Sequence, residues 1–142
     1  MTTPPPDTAY RDDPRSDLDA YHRGIAAGEL RTPRCRSCGN HHWPPRAACP
    51  RCRHPQFDWP RLPEVGELFT FTVAGHTTAP EFRSLVPFPI GMIAYPELGI
   101  RMIGRIAADP HDLRIGLPLR WRTADGPAGI IWEPHSPPEE SP

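Results

Sequence analysis

Residues 35–52 read CRSCGNHHWPPRAACPRC, two C-x2-C pairs, Cys35/Cys38 and Cys49/Cys52, separated by ten residues. A C-x2-C turn places two thiols on one side of a tight loop, and two such turns facing each other make a tetrahedral four-sulfur site. Gly39, directly after Cys38, suits a backbone with positive φ whose N–H groups point back at sulfur. Pro44, Pro45 and Pro50 stiffen the stretch and narrow the unfolded ensemble. Four thiolates complete a shell and leave no open position for chemistry. The spacing predicts structural zinc on Cys35, Cys38, Cys49 and Cys52, with iron the other metal that suits the geometry. Redox C-x-x-C chemistry normally has one pair at a strand–helix junction, and two disulfides need an oxidising compartment. Neither matches two pairs in a Pro-rich loop. His41 and His42 lie between the pairs without cysteine–histidine finger spacing, so they are read as loop residues beside a completed shell.

Upstream, Ser16 and Asp19 make a capping-box pattern. Leu18, Tyr21 and Ile25 then fall on one stripe of a short helix that Gly28 ends. That stripe docks either on its own domain or on a partner. Downstream the period changes to two. Phe69, Phe71 and Val73 alternate with Thr70 and Thr72; Ile90 to Tyr95 is mostly apolar. Ile100, Met102, Gly104 and Ile106 alternate with Arg101, Ile103 and Arg105, and Leu117, Leu119 and Trp121 with Pro118, Arg120 and Arg122. Gly129 to Trp132 is the last apolar segment. Turn signals separate these runs at Pro96-Glu97-Leu98-Gly99, Ala108-Asp109-Pro110 and Asp125-Gly126-Pro127. Five strands with one long early connection suit a small Greek-key barrel of the OB type, whose closure removes exposed sheet edges. Gly104 fits the kink of such a barrel.

The fold class is therefore mainly β: an N-terminal helix, a small zinc ribbon and a five-stranded OB-fold barrel. The boundaries expected are a disordered tail over 1–15, a docking helix over 16–30, the ribbon over 31–60, the barrel over 61–133 and a second disordered tail over 134–142. Both tails are rich in proline and poor in apolar surface, too poor to offset the entropy of ordering.

The net charge is −1, and all sixteen basic residues are arginine. Lysine-based covalent catalysis is thereby excluded. No stretch approaches the ~20 apolar residues of a membrane span, and the N-terminus lacks an apolar signal core, so a cytoplasmic protein is expected.

Set out in this order, the chain resembles the family once catalogued as domain of unknown function thirty-five. The resemblance runs from Tyr21 to Trp132. It rests on Gly28-Glu29-Leu30 leading into Cys35-x-x-Cys38-Gly39, then Pro44-Pro45-Arg46 and Cys49-Pro50-Arg51-Cys52. It continues with Gly66-Glu67-Leu68-Phe69-Thr70-Phe71-Thr72-Val73, Gly104-Arg105 and Ile115-Gly116-Leu117-Pro118-Leu119. It implies a rubredoxin-like ribbon, an OB-fold and a non-catalytic accessory role beside a thiolase-like acyl-CoA enzyme, either a thiolase or a lipid-transfer-type aldolase of steroid side-chain degradation. The partner would supply the catalytic residues, while this chain stabilises it and helps form the opening for acyl-CoA. A hetero-oligomer of two plus two chains is expected, with this chain a separate subunit because it lacks the hydratase domain fused to some relatives.

No reaction-specific motif surrounds His76, Thr77, Thr78 or Glu81, the polar residues of the long loop. With Phe82, Arg83 and Phe88, His76 makes that loop either a recognition element or an ordinary surface loop. Aromatics and arginine serve as interface anchors, and arginine pairs with phosphates such as those of coenzyme A. Candidate partner- or coenzyme-A-binding residues are therefore Leu18, Tyr21, Ile25, His76, Phe82, Arg83 and Phe88. The competing reading is nucleic-acid binding, since ribbons and OB-folds both serve it and Arg31, Arg34, Arg36, Arg46, Arg51 and Arg53 make the ribbon locally basic. Against it stand the slightly negative total charge and the absence of alternating aromatic and basic residues along the strands.

Overall fold

The computed structural model describes residues 18–124 and 129–136. They divide into two compact units: residues up to Leu62 with the turn Pro96–Ile100, and Pro63–Tyr95 with Arg101 onward. Residues 1–17 and 137–142, with the Ser16 cap and the Asp125-Gly126-Pro127 turn, lie outside the described residues. The tail expected over 134–142 begins too early, because Pro134 still belongs to the last strand, paired with Leu119, and His135 N–H donates to Pro118 O at 2.9 Å.

In the first unit, helix α1 spans Leu18–Ala26, with Asp19 in its first turn and Arg23 in its last, each complementing the helix dipole. It stops because Gly28 takes φ 77°. Gly28 N–H then donates to Ile25 O at 3.0 Å and Glu29 N–H to Gly24 O at 2.8 Å, the paired bonds of a Schellman cap. Gly24 is buried, and a Cβ there would lie 2.6 Å from the Glu29 carbonyl oxygen, so the cap can fold back only over a glycine. Two short strands follow, β1 (Arg34–Cys35) and β2 (Phe57–Asp58), paired antiparallel. Leu62 N–H donates to Leu30 O at 2.7 Å, and both leucines are buried.

The second unit is a five-stranded sheet in the order β5-β4-β3-β6-β7. Its strands are β3 (Val65–Ala74), β4 (Phe88–Tyr95), β5 (Ile100–Arg105), β6 (Pro118–Thr123) and β7 (Ile130–Pro134). A parallel bridge between Ile106 and Trp132 joins the two outer strands and closes the sheet. This is the small Greek-key barrel of the OB type expected from the strand pattern. Leu68, Ile93, Tyr95, Met102, Ile106, Leu119, Ile131 and Trp132 fill its interior. Each large apolar side chain so buried contributes about 1.5–3 kcal/mol.

Simple alternation fails in β3. Leu68 pairs with Ile93, but Thr70 pairs with Met92, so Phe69 is the extra residue of a β-bulge. Before the bulge the even positions Gly66 and Leu68 face the interior; after it Phe71 faces inward opposite Gly91. Phe69 therefore does not share a face with Phe71 and Val73, and it is 44% exposed. Gly104 has a packing role: a Cβ there would sit 2.4 Å from Trp132 Nε1, so the indole occupies the space that a side chain would need.

Candidate functional site

The two C-x2-C turns repeat one backbone pattern. Cys35 N–H donates to Asn40 O at 2.9 Å, and Gly39 N–H donates to Cys35 O at 3.0 Å. In the second turn Cys49 N–H donates to His54 O at 2.9 Å, and Arg53 N–H donates to Cys49 O at 2.8 Å. Gly39 has φ 74° and Arg53 has φ 68°, so Arg53 stands where the first turn has glycine. The amides aim at sulfur, with Ser37 N 3.4 Å and Cys38 N 3.5 Å from Cys35 Sγ. Arg51 N lies 3.4 Å from Cys49 Sγ. Cys35 and Cys49 are buried; Cys38 and Cys52 are exposed.

The four sulfurs lie within 4.8 Å of one another. Cys35–Cys52 is 3.4 Å and Cys38–Cys49 is 3.7 Å. A tetrahedron with Zn–S bonds of ~2.3 Å has sulfur–sulfur edges of about 3.8 Å, so the cluster fits that ion with little adjustment. The electrostatics agree. Burial opposes ionisation of Cys49, yet the Cys52 and Arg51 amides and two neighbouring thiols bring it down to about 6. Cys35 is likewise lowered, its burial outweighed by the Cys38 and Ser37 amides and by the Cys52 and Cys38 thiols. For Cys38 the Asn40 amide favours the thiolate, but partial loss of water around its sulfur and the three other thiols push it up to about 11. Crowded sulfurs cannot all ionise without a cation among them, and a divalent ion supplies that charge. The cofactor of this ribbon is structural zinc.

His42 is buried with its ring 5.0 Å from that of Phe57. Burial, then the charge of Arg46 and His41, lowers its pKa; burial and Arg34 do the same for His41. Both histidines stay outside the sulfur cluster. Arg36 Nε bonds Asp58 at 2.9 Å, and Arg31 pairs with Glu29 while donating to Trp59 O, so part of the ribbon's basic charge is already neutralised.

The other candidate residues fall in two places. Leu18, Tyr21 and Ile25 lie half-buried on α1, where Tyr21 sits 5.1 Å from the ring of Trp43 and burial raises its phenol pKa. His76 is exposed just past the end of β3. Phe82 closes a short 3-10 turn (Pro80–Phe82), with Arg83 exposed after it. The rings of Phe82 and Phe88 are 6.0 Å apart, so the loop folds on its own aromatic pair. Among the described residues, the group of His, Cys, Asp and Glu side chains close enough to hold a metal is the cysteine quartet.

Arg53, which the sequence marks only as basic charge, stands one residue after the second pair as Gly39 does after the first. Phe69, one of an alternating set in the sequence, lies under the Arg101 guanidinium at 3.8 Å. Nothing in a regular alternation marks the extra residue of a bulge.

Residues 23–58 match the family of ChsH2 rubredoxin-like zinc ribbon domains, and residues 59–124 match that of ChsH2 C-terminal OB-fold domains. A DUF35 domain-containing scaffold protein of Methanocaldococcus jannaschii is 33% identical over 104 residues, covering 69% of this chain and 72% of that one. The chain belongs to the DUF35 family. The 3-oxo-4,17-pregnadiene-20-carboxyl-CoA hydratase alpha subunit of Mycobacterium tuberculosis is 30% identical to this DUF35 protein over 132 residues. That match covers 91% of this chain and 41% of the hydratase subunit. A solved chain described as Ltp2-ChsH2(DUF35) aldolase superposes with TM-score 0.71 at 22% identity, covering 83% of this chain and 94% of that one. It shares the fold. No helix among the described residues is long and apolar enough to cross a membrane.

Proposed function

We propose that this DUF35 protein is a non-catalytic accessory subunit of a thiolase-like acyl-CoA enzyme, a thiolase or a lipid-transfer-type aldolase of steroid side-chain degradation. It stabilises that enzyme and helps form the opening through which acyl-CoA enters. The observation that carries the reading is the relative named a scaffold protein, which matches over 69% of this chain and 72% of its own length. The names of the hydratase alpha subunit and of the Ltp2-ChsH2(DUF35) aldolase point the same way, toward a module that works within an acyl-CoA enzyme assembly. The site chemistry supports it. Cys35, Cys38, Cys49 and Cys52 are the zinc ligands in this reading, and a closed four-sulfur shell cross-links the ribbon without offering a position to substrate.

The test is co-expression with the thiolase-fold enzyme encoded nearest to this chain. The expected outcome is one hetero-oligomer of two plus two chains on size exclusion, with enzyme activity falling when this chain is omitted. Two separate species of unchanged activity sink the proposal. Metal analysis should give one zinc per chain, lost together with solubility in Cys38→Ser. A folded, metal-free and still partner-competent Cys38→Ser would remove the zinc from any structural role.

A further inference from the structure

The outer surface of β3 and β5 carries apolar side chains that the barrel does not use. Ile103, in the middle of β5, is 69% exposed. Arg101 and Arg105, two positions to either side, share its face because strand side chains alternate. The bulge in β3 turns Phe69 onto the same surface, where the Arg101 guanidinium covers its ring at 3.8 Å. Arg105 is half-buried, and its Nε is shielded from solvent with no hydrogen-bond partner among the described residues. Neither arginine forms an ion pair with a described carboxylate. The barrel thus has an apolar centre flanked by two arginines that no described carboxylate neutralises, one of them resting on an aromatic face. Bulges commonly re-aim a side chain in this way, and aromatic residues with arginine are the favoured anchors of protein interfaces.

We propose that Phe69, Arg101, Ile103 and Arg105 form the docking surface for the enzyme subunit. The complementary patch is apolar at its centre, with Asp or Glu carboxylates opposite Arg101 and Arg105. This rests on the accessory-subunit reading above and says where on the chain that contact is made. Protein is favoured over nucleic acid because the exposed aromatic face is already occupied by Arg101 and its neighbour is aliphatic, so no free platform remains for a base.

The experiment uses the full chain co-purified with its thiolase-fold enzyme, and compares wild type with Ile103→Glu, Arg105→Glu and Ile115→Glu. Ile115 is 63% exposed on the turn before β6, whose Gly116 N–H donates to Leu68 O at 2.7 Å, so it borders the proposed surface without belonging to it and reports on the general effect of placing a charge on an exposed apolar residue there. Ile103→Glu and Arg105→Glu are expected to weaken the complex roughly tenfold or more, with thermal unfolding of the isolated chain unchanged. Ile115→Glu should bind like wild type, and wild-type affinity should fall with added salt. A stable wild-type complex indifferent to Ile103→Glu and Arg105→Glu overturns the surface while leaving the accessory role intact. No complex with wild type overturns both. Self-association of the chain abolished by Ile103→Glu, or salt-sensitive oligonucleotide binding abolished by Arg105→Glu, assigns the surface to another occupant and equally overturns the inference.

Discussion

Gly39 and Arg53 occupy equivalent places in two copies of one turn, and only one of them is a glycine. An L-residue at positive φ places Cβ against its own carbonyl, at a cost of about 1–2 kcal/mol. Arg53 bears that cost at φ 68°, and it is exposed. Arg53→Gly should therefore leave the zinc-loaded protein as stable or raise its unfolding free energy by up to ~1 kcal/mol. Gly39→Ala should lower it by about 1 kcal/mol. Denaturant titration of both variants checks the pair. A loss above ~1 kcal/mol in Arg53→Gly would mean that the arginine side chain itself holds the ribbon. The metal ligands were legible at this scale because spacing alone brings sulfurs together in a C-x2-C turn. Arg53 was not, since backbone conformation at a non-glycine residue leaves no mark in residue type.

Strand pairing shows where element-level reading succeeds and where it stops. The alternation of Ile100, Met102 and Ile106 against Arg101, Ile103 and Arg105 is the burial pattern of β5 and its end. In β3 the bulge shifts the register after Leu68, and the inward set changes from even to odd positions. Period-two patterning cannot locate such a shift, because residues on both sides still alternate. At the far end of the sheet, Glu133 on β7 bonds Arg122 at 2.8 Å and Arg120 at 3.1 Å on β6. Chiefly the hydrogen bond from Arg122 holds its carboxyl below the usual carboxylate range; burial opposes it, and the hydrogen bond from Arg120 and the charges of both arginines add to the lowering. A depressed folded-state pKa stabilises at pH values above the unfolded value of ~4.3 and is lost as pH falls through the lower folded value. Glu133→Gln should cost less than ~1 kcal/mol at neutral pH, because the pair is largely solvent-exposed. The two proteins should converge in stability as acid protonates Glu133. A difference that persists undiminished in acid would assign the effect to packing instead of charge.

At the scale of the whole molecule, the ribbon and the barrel are held together by different forces. The barrel unit has a closed five-stranded sheet and an apolar interior running from Leu68 to Trp132. The ribbon has two strands of two residues each and a few buried side chains, among them two of its own metal ligands. Composition made this contrast legible. Cysteine pairs and prolines mark a segment that needs a staple, while alternating Ile, Leu, Phe and Trp mark one that does not. What composition could not supply was the bulge in β3 that turns Phe69 outward, since regular alternation continues on both sides of it. Structural zinc contributes about 10–16 kcal/mol of apparent binding energy in isolated fingers, and that energy is available only while the thiolates are metallated. Removing the metal with a chelator at neutral pH should therefore abolish amide-exchange protection between Thr32 and Trp59, while β3 to β7 keep theirs. Hydrogen exchange read by mass spectrometry resolves the two regions directly. Simultaneous loss of protection in the strands would show that the barrel's interior cannot sustain it without the ribbon. Retention of protection around Cys35 and Cys49 after complete zinc removal would show that the backbone bonds they donate to Asn40 and His54 and accept from Gly39 and Arg53 hold the turns unaided.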